Sequence, residues 1–183
     1  MWQALQHASN WWRLFTSDSW ATQRASCEHA HVDRWRDVES GRDVFVITIA
    51  SAEDWPDITP WSCEGFGLLV LTEHARDVAP LASRAVARGV AVVCSWGPGC
   101  SMIEDAFDDA IVDAHPTETE NDVVLTTSHE GESLEEALEF FLDVILPAKD
   151  RAASCRAWCI VAFGEDLQKR VTRAMDRRGA TRA

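Results

Sequence analysis

Lysine is scarce in this sequence, with Lys149 and Lys169 the only two among 183 residues. That scarcity bears on phosphate chemistry in two ways. No G-x-x-x-x-G-K-[ST] loop is present to cradle a nucleotide, and a phosphoacceptor site of the response-regulator kind would lack its lysine. Tyrosine is absent, and no C-x-x-C pair occurs. Without such a pair or a dense framework, the six cysteines (Cys27, Cys63, Cys94, Cys100, Cys155, Cys159) are expected as reduced thiols in a domain large enough to need no disulfide staples. No window approaches the ~20 apolar residues of a membrane span. The opening MWQALQHASNWWRLF carries neither a charged leader nor a continuous apolar run. These absences together lead to the expectation of a cytoplasmic protein that does not engage a membrane.

What is present suits one globular unit. Hydrophobic residues make up 46% and charged residues 26% of the chain, which excludes a wholly disordered sequence. The net charge of −13 is unevenly spread. Residues 1–42 balance five acids with five bases, residues 43–150 carry 22 acids against four bases, and the tail from 151 has three acids and eight bases. The central region therefore repels phosphate backbones, so no nucleic-acid partner is expected and a basic protein partner fits better.

From Asp43 onward the pattern is regular. Val44–Ile49 and Phe66–Leu71 read as buried strands. Val78, Leu81, Ala82, Ala85 and Val86 then mark a helix ended by Gly89. Pro80 confines the helix start, making Asp77 the expected N-cap and leaving Thr72–Arg76 as a strand-to-helix loop. Val90–Cys94 reads as a strand, followed by a short helix opened by a Ser101/Glu104 capping box. Ala110–Val112 and Asp122–Thr127 are further strand candidates. Ser133 and Glu136 form a second capping box before a helix stopped by Pro147. Ala157–Phe163 reads as the last strand and Leu167–Met175 as the last helix.

This alternation predicts an α/β fold: a three-layer, mostly parallel sheet of about five or six strands flanked by helices, flavodoxin-like or Rossmann-like. Residues 43–183 would form that single domain. Residues 1–42 differ in kind, holding five of the nine tryptophans. They read as a Trp-rich N-terminal extension that packs on the domain or on a partner.

Residues 89–100 (GVAVVCSWGPGC), the acidic helix after them, residues 122–130 (DVVLTTSHE) and residues 132–141 (ESLEEALEFF) resemble a family of uncharacterised bacterial domains. The likeness covers roughly residues 43 to 150. It implies the same small α/β core and carries no activity to transfer.

Ligands of parallel α/β sheets bind outside the carboxyl ends of the strands. That rule nominates Glu53 and Asp54, then Glu73 and His74, then Ser95, Trp96 and Cys100, then Thr127, Ser128, His129 and Glu130, and finally Glu165 and Asp166. Glu73, His74, Cys100, His129 and Glu130 are the catalytic candidates, since two imidazoles, a thiol and carboxylates together could perform acid–base or thiol chemistry. Ser95, Trp96, Thr127 and Ser128 are the ligand-binding candidates. A helix N-terminus lowers a thiol pKa, but Glu104 and Asp105 oppose this for Cys100, which favours a plain buried thiol. Gly97-Pro98-Gly99 matches a phosphate loop only in part and reads as a tight turn. Cys27, His29 and His31, at alternate positions, could hold a metal ion, although no four-ligand site is completed and a polar surface segment is the simpler reading. No cofactor is implied. The acidic run Glu118, Glu120, Asp122, Glu130, Glu132, Glu135, Glu136 and Glu139 most often means a solvated face.

With no complete nucleophile–base motif, metal set or phosphate loop, the leading expectation is an acidic, non-enzymatic binding or regulatory domain that neutralises or senses a basic protein. The alternative is a small enzyme or ligand-binding domain using the His/Cys/Glu cluster at the carboxyl edge of the sheet.

Overall fold

The computed structural model describes residues 30–56, 65–115 and 123–183. Among these residues seven strands form one sheet: β1 (His31–Arg36), β2 (Asp43–Ile49), β3 (Gly65–Leu71), β4 (Val90–Trp96), β5 (Leu125–His129), β6 (Cys155–Phe163) and β7 (Thr181–Arg182), in the order β5-β4-β3-β6-β2-β1-β7. Among the described residues four α-helices accompany them: α1 (Ala79–Ala87), α2 (Cys100–Ala114), α3 (Leu134–Glu139), which runs on into a π-turn at Phe140–Val144, and α4 (Glu165–Arg177).

The run from β5 to β2 is parallel, as expected, but β1 pairs antiparallel with β2 and β7 antiparallel with β1. The sheet is therefore mixed and seven-stranded, which corrects the expectation of a mostly parallel sheet of five or six strands. The cause is connection length. Only residues 37–42 separate β1 from β2, enough for a hairpin and too few for the crossover that a parallel pair requires. Residues 31–36, which the sequence groups with the N-terminal extension, are thereby part of the sheet. The preceding residues 1–29, with four of the extension's tryptophans, lie outside the described residues.

Alternate side chains sort the core into two clusters. Val44, Val46, Leu69, Leu71, Trp158 and Ile160 meet residues of α3 and α4, such as Leu138 and Val171. Phe45, Ile47, Leu68, Val70, Cys159 and Val161 of the same strands face the other way and meet Leu81 and Ala85 of α1 and Phe107 of α2. Burial on both faces explains why the central strands read as continuous apolar runs. Gly67 belongs to this packing for steric reasons, because a Cβ there would lie 2.7 Å from the Trp158 ring.

The local signals fared unevenly. Ser133 and Glu136 form the expected capping box, each bonding the other's backbone. Pro80 sits in the first turn of α1, and Asp77 accepts a hydrogen bond from the Ala79 amide at 2.9 Å, although Val78 is the N-cap. Two expectations are corrected. Ala110–Val112 lies within α2, where Ile103, Phe107 and Ile111 recur at helical spacing and are buried. That helix opens at Cys100 after Gly99, without a side-chain cap from Ser101.

Candidate functional site

The carboxyl ends of β3, β4 and β5 carry most of the nominated residues, and the structure divides them into two groups. In the first, Glu73 is exposed and pairs with Arg170 of α4 at 3.3 Å, while the Arg170 guanidinium lies 5.1 Å from the centre of the Trp96 ring. His74 is exposed; its backbone amide and carbonyl both bond the Thr72 hydroxyl, which shapes the loop after β3. Trp96 donates from its indole N–H to the Glu132 carbonyl at 2.9 Å.

The second group surrounds His129, which is only 5% exposed. Its Nδ1 lies 2.9 Å from the Glu132 carboxylate, and its ring packs on Phe140 at 4.7 Å. Its Nε2 is turned to the Thr127 hydroxyl, 3.4 Å away. Thr127 in turn donates to Cys94 Sγ at 3.3 Å. The result is a chain of carboxylate, imidazole, hydroxyl and thiol running inward from the surface. It ends on an inert group, since burial pushes the Cys94 thiol up to about 12.

Cys100 lies beside the His129 amide and Glu130. Its side chain is fully buried, and burial raises its pKa; the His129 amide N–H opposes that shift and the Glu130 charge adds to it. Ser95 is buried as well and donates to the carbonyls of Cys100 and Thr127, closing the β4–α2 turn onto β5. Ser128 lies beside it, paired in register with Ser95. Asp54 caps its own turn through Ser51, and Glu165 and Asp166 pair with Lys169.

Of the metal candidates, His31 stands exposed on β1, 3.6 Å from Asp33; Cys27 and His29 lie outside the described residues. Glu132 is the residue the sequence reading left out of the site. Its signal was the His-x-x-Glu spacing across a tight turn, which places a carboxylate back over the ring.

The buried thiols give a direct check. In the native protein Cys94, Cys100 and Cys159 should label slowly with iodoacetamide at neutral pH and react together once the chain is unfolded, because each is buried with a raised pKa. Fast native labelling of Cys100, read by peptide mass spectrometry, would contradict this placement.

A third feature is the outer edge of the sheet. Among the described residues β5 pairs with β4 alone. It carries Leu125, 37% exposed, and follows Val123, 40% exposed. Asp108 of α2 accepts a hydrogen bond from Thr126 at 2.9 Å, which sets the stripe of Asp105, Asp108 and Val112 beside this edge. Glu130, Glu132, Glu136 and Glu139 are exposed in and around α3, which packs on the opposite face of the sheet. Arg177 pairs with Glu135, but Asp105, Asp108, Asp109, Asp113, Glu130 and Glu139 form no ion pair among the described residues.

A family model described as Domain of unknown function (DUF7684) matches residues 44–177. The chain belongs to this family. The DUF7684 span runs from β2 to the last residue of α4, so it includes both groups at the carboxyl edge and the β5 edge, and leaves β1 and β7 outside. No curated protein matches the chain.

Proposed function

We propose that this protein is a non-enzymatic binding domain that takes an extended, basic segment of a protein partner along β5. The observation that carries the reading is the β5 edge, which has β4 as its one partner among the described residues. A strand edge offers unpaired backbone donors and acceptors, and proteins usually protect it with lysine, proline or a covering element. Here the strand reads Leu-Thr-Thr-Ser-His, with exposed apolar side chains at its start and carboxylates nearby. Strand addition supplies main-chain hydrogen bonds, and the surrounding charge selects a basic sequence. The same negative charge disfavours nucleic acid and opposes a second copy docking edge to edge. A cytoplasmic location and a flavodoxin-like or Rossmann-like three-layer arrangement belong to this reading as well.

The enzyme alternative draws on the Glu132–His129–Thr127 chain, whose order matches an orienting acid, a base and a hydroxyl. The burial of His129 against Phe140 weighs against it.

The test is a titration with a labelled peptide alternating arginine and valine. Saturable binding is expected at low salt, weakening as salt rises, and falling roughly tenfold or more when Asp105 and Asp108 are both replaced by lysine. Absence of binding at low salt, or binding indifferent to both salt and charge reversal, would overturn the proposal.

A further inference from the structure

The amino end of the sheet presents chemistry opposite to that of the β5 edge. A cleft of about 400 Å³ opens there between the β1–β2 hairpin, the segment after α3 and the start of β6. Three arginines line it, Arg36, Arg42 and Arg156, with Asp43 the one acidic residue in the lining among the described residues. Such a concentration stands out in a chain of net charge −13.

The three arginines are held differently. Arg42 is half-buried and fixed: it lies over the Trp158 ring, 3.6 Å from its centre, and donates to the Phe141 carbonyl at 3.0 Å. Phe141 meets the same indole edge-on at 4.9 Å and braces it beneath the guanidinium. Burial lowers the Arg42 pKa, yet a guanidinium remains charged throughout the physiological range. Arg36 and Arg156 are exposed at the mouth. Arg36 shares Asp43 with Arg34, at 3.3 and 3.5 Å, and Arg156 bonds the Ala153 carbonyl and forms no ion pair among the described residues. Leu146, 65% exposed, and Pro147 form an apolar wall.

The geometry points to a binding site for a small organic anion, with a carboxylate or phosphate held by Arg36 and Arg156 over the fixed charge of Arg42, and an apolar body laid against Leu146 and Pro147. Guanidinium forks match both oxyanions, and the volume falls within the ~300–1,000 Å³ of small-molecule sites. This site lies at the other end of the strands from the nominated residues and does not depend on β5 docking.

Calorimetric titration with benzoate and with inorganic phosphate, at constant ionic strength, tests it. Saturable binding of at least one probe is expected, and that probe identifies the oxyanion. Affinity should fall roughly tenfold or more in an Arg36→Gln/Arg156→Gln double variant, whose two side chains are exposed and whose melting temperature should stay near that of the parent. Each single variant should give an intermediate loss, which keeps the test sound if the double variant folds poorly. No saturable heat from either probe, or unchanged affinity in the variants, would overturn the inference.

Discussion

Replacing Gly97 with alanine should destabilise the protein by roughly 3–5 kcal/mol, from strained backbone and overpacking combined. Gly97 has φ +104°, and a Cβ there would lie 1.9 Å from the Thr72 carbonyl oxygen. That oxygen is backbone and cannot swing aside. The neighbouring Thr72 amide is itself bonded to the Trp96 carbonyl at 3.1 Å, and the Cys100 amide bonds the Gly97 carbonyl. Relief therefore requires the ends of β3 and β4 to part, and with them the turn that leads to α2. Gly41→Ala provides the control, because its φ of +67° meets no atom within 4 Å. That change should cost only about 1–2 kcal/mol. Urea midpoints of the two variants compare them directly; equal losses would contradict the contact.

The second large effect is expected at Asp37, which is fully buried. Its carboxylate accepts from Arg178 Nε and Nη2, both at 3.3 Å, and from the Ser40 amide at 2.9 Å. Arg178 also reaches Asp143 at 2.9 Å, so one guanidinium ties the β1–β2 hairpin, the end of α4 and the π-turn together. Arg178→Ala leaves a buried carboxylate with Ser40 alone and should cost roughly 2–4 kcal/mol, somewhat under the full penalty for breaking a buried pair because Arg178 keeps 15% exposure.

The pH dependence follows from the same contacts. Burial would raise the Asp37 pKa, but the hydrogen bonds from Arg178 and Ser40 outweigh it and hold the carboxyl below its usual value. A depressed folded pKa means the unfolded chain binds the proton first. The stabilisation is thus complete above the unfolded carboxylate pKa of ~3.9 and is lost as pH falls through the lower folded value. Asp37→Asn should remove that portion of the acid sensitivity, seen as a shallower decline of melting temperature below about pH 4. An unchanged acid profile would contradict this role.

The interior strands were legible because burial on both faces writes a plain apolar run, as in Phe66–Leu71 and Val90–Cys94. Cap chemistry was equally plain at Ser133 and Glu136, where both partners lie within one turn. Ala110–Val112 misled because three apolar residues show no period; only Ile103, Phe107 and Ile111 together reveal the helix. β1 was hidden by its charges, with His31, Asp33, Arg34 and Arg36 in six residues, and its pairing to β2 supplies what its sequence does not advertise.

The location of the carboxyl-edge residues was legible from topology, but their partners were not. His129 meets Glu132 through a turn, and Glu73 meets Arg170 across 97 positions. The arginine cleft escaped the sequence reading for a related reason. Arg36, Arg42 and Arg156 are brought together by the β1–β2 and β2–β6 pairings, in which Asp43 stands opposite both Arg36 and Ala157, at the end of the strands that the ligand rule passes over.

Amide hydrogen exchange on the protein with and without the arginine–valine peptide tests the central claim most directly. Docking along β5 should slow exchange in residues 123–129, with the added protection fading as salt rises. Unchanged exchange in that segment while the peptide is bound, or protection confined to another surface, would contradict it.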